Sequence, residues 1–330
     1  MKLVFMGTPA FAVSSLERTV EAGHEVAAVF TQPDRPKGRG QKDAMSPVKE
    51  AALRLGLTIH QPERVRRPEV VEQLRAMAPE AMVVVGYGQI IPKAILDIPP
   101  HGIINVHASL LPKYRGAAPI QWAIARGEAS TGVTTMRINE GLDTGDMLLK
   151  WETAIGPEEN AVVLGQRLAV AGADLLVRTL AGLSAIQPQP QDDSQATYAP
   201  ILKKEDGKID WALSAREILN RIRGFEPWPG GYGFLRDQRL QIWSAAVGDQ
   251  KLPPGALRAV NRRLYAGCGG GESIELREVQ LEGKKRMPGA AFINGFPLGG
   301  DEVLLCICRK GFVTRRFTQG CARSRKMIWR

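Results

Sequence analysis

Met82-Val83-Val84-Val85-Gly86-Tyr87 and, after a Pro-rich interval, Ile103-Ile104-Asn105-Val106-His107 decide the fold. The first run is apolar throughout and does not alternate with polar residues, as a strand with one wet face would. Short continuous apolar runs belong to strands buried on both sides, which is the condition of a parallel sheet covered by helices. Outward from them, residues 2–6 and 25–31 read as further strands, 58–60 as a short one and 132–138 as another. Residues 11–22, 47–55 and 68–77 carry helical spacing, and Gly23 ends the first. The strand–helix order predicts an α/β domain with helices on both faces of the sheet. Gly7-Thr8-Pro9 after the first strand is not a G-x-G-x-x-G fingerprint, which argues against a dinucleotide site and a dehydrogenase.

The pattern changes after residue 185. IQPQPQDDSQATYAP (186–200) lacks helical periodicity and reads as an extended linker. Beyond it come a helix at 214–223, the turn PWPGG, and short runs at 233–235, 239–245, 255–260, 263–266 and 273–279. Short strands with Gly/Pro turns at that spacing predict a small β-barrel. Trp211 and Trp228 are read as domain-packing residues, with stacking on nucleic acid as the alternative.

The formal net charge of +10 invites a nucleic-acid reading, but its placement weakens that argument. Residues 1–206 hold 22 Lys+Arg against 23 Asp+Glu, residues 207–305 hold 14 against 11, and the last 25 residues hold 8 against none. Most of the excess is therefore tail. No apolar run approaches the ~18 residues of a membrane span. The four cysteines all lie in the last quarter and form no disulfide framework, so a reducing cytoplasm is expected. Cys306-x-Cys308 is weak zinc spacing with no histidine nearby, and no metal site is expected.

Asn105 and His107 are two apart on a strand and share one of its faces. An amide donor beside an imidazole suits a reaction that builds negative charge on a carbonyl oxygen, since both can stabilise it and the imidazole can move a proton. The alternative is a turn in which both side chains satisfy local hydrogen bonds. In Gly141-Leu142-Asp143-Thr144-Gly145-Asp146, glycines let the chain turn tightly around a carboxylate that would orient His107 and favour its protonated form. An ordinary acidic turn is the alternative; a calcium loop needs more oxygen ligands and a distal Glu. Asp34-Arg35-Pro36-Lys37-Gly38-Arg39-Gly40-Gln41-Lys42 sets four cations and two glycines between a strand and a helix. Such a loop suits phosphate contacts, or is simply a solvated surface loop.

GTPAF (7–11), TQPDRPKGRG (31–40), SPVK (46–49), VVVGYGQIIP (83–92), NVHASLLPKYRGAAPIQWAI (105–124) and EGLDTGDML (140–148), with TYA (197–199), KIDW (208–211) and PWPG (227–230), resemble the methionyl-tRNA formyltransferases. The resemblance runs from residue 2 to about 305. It implies a Rossmann-like parallel-sheet formyltransferase domain over 1–189, a linker over 190–206 and an OB-like β-barrel over 207–305 that helps grip tRNA. The tail 306–330 departs from the family and is expected to be disordered. By resemblance the catalytic residues are Asn105, His107 and Asp143. Ser109, Leu110, Leu111 and Pro112 carry the folate signature, and Tyr87, Gly88, Gln89 and Ile90 flank the pterin. Arg35, Lys37, Arg39 and Lys42 contact tRNA. The implied reaction moves the formyl group of 10-formyltetrahydrofolate to methionine on initiator methionyl-tRNA without a metal, in a cytoplasmic monomer. Of the rivals, a glycinamide-ribonucleotide formyltransferase usually lacks the second domain. A sugar-nucleotide formyltransferase normally has a shorter 31–49 loop. A non-catalytic RNA-binding module has no use for the intact triad.

Overall fold

The computed structural model describes residues 1–37 and 42–306. Arg39, and the tail beyond residue 306, lie outside the described residues.

The first domain comprises β1 (Lys2–Gly7), α1 (Phe11–Glu21), β2 (Glu25–Phe30), β3 (Arg35–Lys37), β4 (Lys42–Ala44), α2 (Pro47–Arg54), β5 (Ile59–His60), α3 (Pro68–Met77) and β6 (Ala81–Val85). It continues through α4 (Lys93–Leu96), β7 (Ile103–His107), α5 (Pro119–Ala125), β8 (Ser130–Arg137), β9 (Met147–Ala154) and α6 (Ala161–Ala181). Its main sheet has the order β5-β2-β1-β6-β7-β8-β9.

From β5 to β7 every pairing is parallel. The inner strands β1 and β6 are buried on both faces: Leu3, Phe5, Val83 and Val85 pack with Leu16, Leu164 and Leu168 on the α1/α6 side. The alternating residues Val4, Met6, Met82 and Val84 pack with Val70, Leu74 and Ile95 on the α3/α4 side. That double burial is why these strands read as unbroken apolar runs.

Strands β8 and β9 add an antiparallel edge, which the reading of 132–138 as one more parallel strand did not anticipate. A parallel neighbour needs a crossover that carries the chain back to the start of the sheet. After β7 the chain instead makes a loop and the seven-residue α5, then re-enters beside the end it has just left. The register pairs His107 with Thr134 and Ile104 with Arg137.

The second domain opens with α7 (Ala215–Gly224), followed by β10 (Gly231–Leu235), β11 (Gln238–Val247), β12 (Leu257–Val260), β13 (Arg263–Gly267), β14 (Ser273–Leu281), β15 (Met287–Pro288) and α8 (Gly289–Gly295). The antiparallel order is β10-β11-β14-β13-β12, with β15 beside β14. Residues 303–305 bridge both ends of that order: Leu305 pairs with Phe234 of β10 and Val303 with Ala256 just before β12. The sheet thereby curls around its own core of Ile242, Leu257, Leu264, Leu276 and Phe292. Trp211 is buried in this core, whereas Trp228 is 55% exposed.

Helix α7 packs against both α5 and β11 and joins the domains. Its Ser214 N-cap accepts from the amide of Glu217, whose carboxylate accepts from the Ser214 amide in return. Satisfying both orphan amides makes this a capping box. Ser214→Ala is expected to cost about 1 kcal/mol. Thermal unfolding should show a Tm lower by a few degrees, and an unchanged Tm contradicts the role given to the cap. From the same helix Arg223 Nη1 donates to the carbonyls of Gly156 and Glu159 at 2.9 Å, fastening the second domain to the first.

The segment between domains is extended but strapped down. Gln189 exchanges two 2.8 Å backbone bonds with Met147, and residues 197–199 pair with Arg115.

Candidate active site

His107 ends β7 and is 6% exposed; Asn105, on the same face, is 8% exposed. The His107 Nε2 lies 2.9 Å from the Tyr114 carbonyl oxygen. A carbonyl can only accept, so Nε2 carries the proton in the neutral ring. Nδ1 is then the unprotonated nitrogen, and it faces Asp143 Oδ2 at 3.8 Å. That distance is too long for a hydrogen bond but short enough for the carboxylate to attract a protonated ring.

Tyr114 is itself held firmly, with φ at +62°. Its amide donates to Thr197 Oγ1 at 2.9 Å and its hydroxyl to Glu128 Oε1 at 2.6 Å. Burial, then the Glu128 bond, push that hydroxyl well above the usual phenol range. Among the described residues nothing is hydrogen-bonded to the Asn105 side-chain amide, so its N–H groups are free for a ligand.

Asp143 sits in the connection from β8 to β9. Because Arg137 stands opposite Ile104, this connection begins about three residues, or ~10 Å, back along β7 from His107. It folds back towards His107, and Asp143 Oδ2 accepts from the Gly116 amide at 2.8 Å. Gly116 can be nothing larger there. Its φ is +118°, and a Cβ would lie 2.6 Å from the Ala199 carbonyl oxygen.

The residues 109–112 form a built loop. Ser109 is fully buried, and its hydroxyl donates to the Lys113 carbonyl at 2.6 Å. Thr134 Oγ1 donates to the Ser109 carbonyl and accepts from the Leu111 amide. Lys150 Nζ donates to the Leu111 carbonyl at 2.6 Å, its pKa lowered by burial. Leu111 packs with Met136 and Met147, while Leu110 and Pro112 remain half-buried beside the site.

In the neighbouring turn, Tyr87 is 1% exposed and burial pushes its hydroxyl up to about 12. Its carbonyl accepts from Thr8 Oγ1 and Gln32 Nε2. The Gln89 side chain is committed to the Val65 amide and the Pro62 carbonyl. Gly88, at φ +86°, and the 90%-exposed Ile90 complete the turn.

The basic loop starts from Gln32, which ties its root to this turn. It rises as the hairpin β3–β4, where Lys37 stands opposite Lys42 in the backbone register. Arg35 is exposed. At the base Asp34 is paired with Lys49 and accepts from Gln61 at 2.8 Å. The Lys49 and Gln61 bonds hold its carboxyl below the usual range. Among the described residues no three His, Cys, Asp or Glu side chains group as a metal site would require.

Several residues of this site carried no role in the sequence reading. Arg115, Gln191, Thr197, Thr134 and Lys150 hold the loops that bear His107 and Asp143. Arg115 and Thr197 lay inside the quoted motifs KYRG and TYA, the one signal available for them.

Comparison with known proteins agrees with this architecture. The formyl transferase family model matches residues 1–180, and the model described as the formyl transferase C-terminal domain matches 201–297. The chain is 63% identical over 308 residues to methionyl-tRNA formyltransferase of Solibacter usitatus, covering 92% of this chain and 98% of that one. It is 58% identical to the protein of the same name from Koribacter versatilis, covering 92% and 98%. Among solved structures, the N-formyltransferase of Helicobacter canadensis in complex with folinic acid and dTDP-3-aminofucose superposes with a TM-score of 0.62 at 18% identity. It covers 84% of this chain and 98% of that one.

Proposed function

The chain belongs to the formyl transferase family, and we infer from that premise that it formylates the methionine of initiator methionyl-tRNA with 10-formyltetrahydrofolate. The observation that carries the chemistry is the Asp143 carboxylate 3.8 Å from His107 Nδ1 at the end of β7, with buried Asn105 two residues earlier on the same face of that strand. The family likeness through both domains carries the choice of substrates.

In this reading the free α-amino group of methionine attacks the formyl carbon. A C–N bond forms and the carbonyl oxygen becomes an oxyanion. The Asn105 N–H and a protonated His107 Nδ1 donate to that oxygen. Nε2 stays on the Tyr114 carbonyl throughout, which fixes the plane of the ring. Asp143 stabilises the imidazolium through space, so charge is already arranged where the oxyanion develops. Collapse breaks the bond to N10 of the folate, and the proton lost by the amine is matched by the one that N10 gains. Leu110 and Pro112, with Gly88 and Ile90 of the neighbouring turn, line the folate side. Arg35, Lys37, Arg39 and Lys42 meet the tRNA backbone, where cations supply affinity without reading bases. The described residues contain no helix long and apolar enough to cross a membrane, and the chain acts as a cytoplasmic monomer in this account.

The test offers 10-formyltetrahydrofolate with three acceptors: Met-charged initiator tRNA, Met-charged elongator tRNA and a dTDP-amino sugar. Formylation of the initiator alone is expected. Transfer to the sugar, with both tRNAs unmodified, overturns the acceptor assignment. Arg39→Ala is expected to raise KM for methionyl-tRNA about tenfold, the effect of one lost phosphate contact, and to leave KM for the formyl donor alone. An equal rise for both substrates assigns the loop a different role.

A further inference from the structure

We propose that Gln191, in the segment joining the two domains, is the positioning residue for Asp143, and that buried Arg115 fixes Gln191 in turn. The inference rests on the catalytic reading of Asp143 given above.

Gln191 uses its whole hydrogen-bonding capacity at this one junction. Its Nε2 donates to the Asp143 carbonyl at 2.8 Å and to the Gly145 carbonyl at 2.7 Å. Its Oε1 accepts from Arg115 Nε at 3.0 Å and Nη2 at 2.8 Å. The orientation of the amide follows from its partners: a guanidinium only donates and a carbonyl only accepts, so the reversed amide would lose all four bonds. Arg115 is 3% exposed, and its ion-pair partner among the described residues is Asp193, two residues further along the same segment than Gln191. The guanidinium therefore has no cheaper alternative than to stay where it holds Gln191.

Asp143 needs such a hold. Its φ is +51°, a left-handed conformation uncommon outside glycine although Asp tolerates it better than most, and the turn that carries it is held by contacts from elsewhere in the chain. Gln191 grips the main chain on both sides of Thr144, while the Gly116 amide grips the Asp143 carboxylate. Gly116 directly follows Arg115, so the backbone and the side chain of Asp143 are both referred to one short piece of chain. Sequence neighbours cannot supply this, because Gln191 stands 48 residues from Asp143. The joining segment is thus a working wall of the site as well as a tether for the barrel.

The test is a double-mutant cycle on the full chain. Gln191→Ala is expected to lower kcat about 30- to 100-fold, as a displaced catalytic group does, with KM for both substrates within about threefold. Gln191→Glu keeps the Arg115 bonds but turns a carboxylate oxygen on two carbonyls, and is expected to fall at least as far. Gln191 is half-buried and belongs to neither core, so both variants should fold; thermal unfolding checks that. In an Asp143→Asn background, Gln191→Ala should cost less than about threefold more, because the group it positions is already lost. Wild-type kcat in Gln191→Ala, or an equal loss in both backgrounds, overturns the inference alone. Wild-type turnover in Asp143→Asn itself overturns the catalytic reading of Asp143 and the inference with it.

Discussion

His107→Ala is expected to lower single-turnover formyl transfer by at least about 10³-fold while leaving tRNA affinity within a few fold. Two losses combine: an oxyanion donor is worth roughly 10²–10³ and a positioned acid–base group roughly 10²–10⁴. They act on one transition state and will not multiply in full. The variant also strips the Tyr114 carbonyl of its Nε2 partner. An unpaired buried carbonyl costs about 1–3 kcal/mol, so stability must be measured in parallel. Asn105→Ala is the cleaner companion. Its amide is hydrogen-bonded to nothing among the described residues, and its removal should cost about 10²–10³ in rate with little change in Tm. Rapid-quench transfer at saturating donor and acceptor reads both, with filter binding for tRNA. Near-wild-type rates in the two variants would sink the assignment of the site to this face of β7.

The second large effect is expected from a residue that touches no substrate. A Cβ at Gly145 would fall on the carbonyl oxygen of Arg137, with the Arg137 carbonyl carbon at 2.8 Å. Both are backbone atoms at the end of β8, so no side chain can swing aside. Gly145→Ala must open the connection between β8 and β9, and Asp143 lies two residues away in it. Its bonds to the Gly116 amide and to Gln191 cannot survive that shift together. Turnover is expected to fall about 100-fold, the scale of a misplaced catalytic group. The barrel, with its separate core, should keep its fold. Near-ultraviolet circular dichroism from the barrel tryptophans checks the fold and the transfer assay checks the rate; wild-type kcat in Gly145→Ala contradicts the geometry given to this connection.

The sequence yielded most where function depends on local spacing. Asn105 and His107 could be set on one face because a strand repeats every two residues. The parallel core was legible because double burial leaves strands such as β1 and β6 almost wholly apolar, with the polar pair of β7 standing out against them. What escaped depends on contacts distant in the chain. The reversal at β8 follows from where α5 leaves the chain in space, which the apolar run of 132–138 does not record. Arg115 and Gln191 meet across 76 residues, and a lone Gln in a Pro-rich stretch has no pattern to mark it. Composition also could not separate ligand-facing side chains from supporting ones. Ser109 and Gln89 lie in the segments proposed to bind folate, yet their polar atoms bond main chain. Trp211 and Trp228 look alike as residues, and only the first is buried in the barrel.

The basic hairpin shows the same division. Its charge and its place between β2 and α2 are plain in the sequence. The Asp34–Lys49 pair that closes its base is a tertiary feature, and it engages the carboxylate that precedes the loop's four cations.

The most direct test of the central claim is transfer of a labelled formyl group. Purified chain is mixed in excess with [¹⁴C-formyl]-10-formyltetrahydrofolate and Met-charged initiator tRNA, and the aminoacyl end is released by mild base. The expected result is label in N-formylmethionine at close to one per tRNA, falling to background with His107→Ala. Label that stays in the folate, or reaches methionine equally well with His107→Ala, contradicts the account.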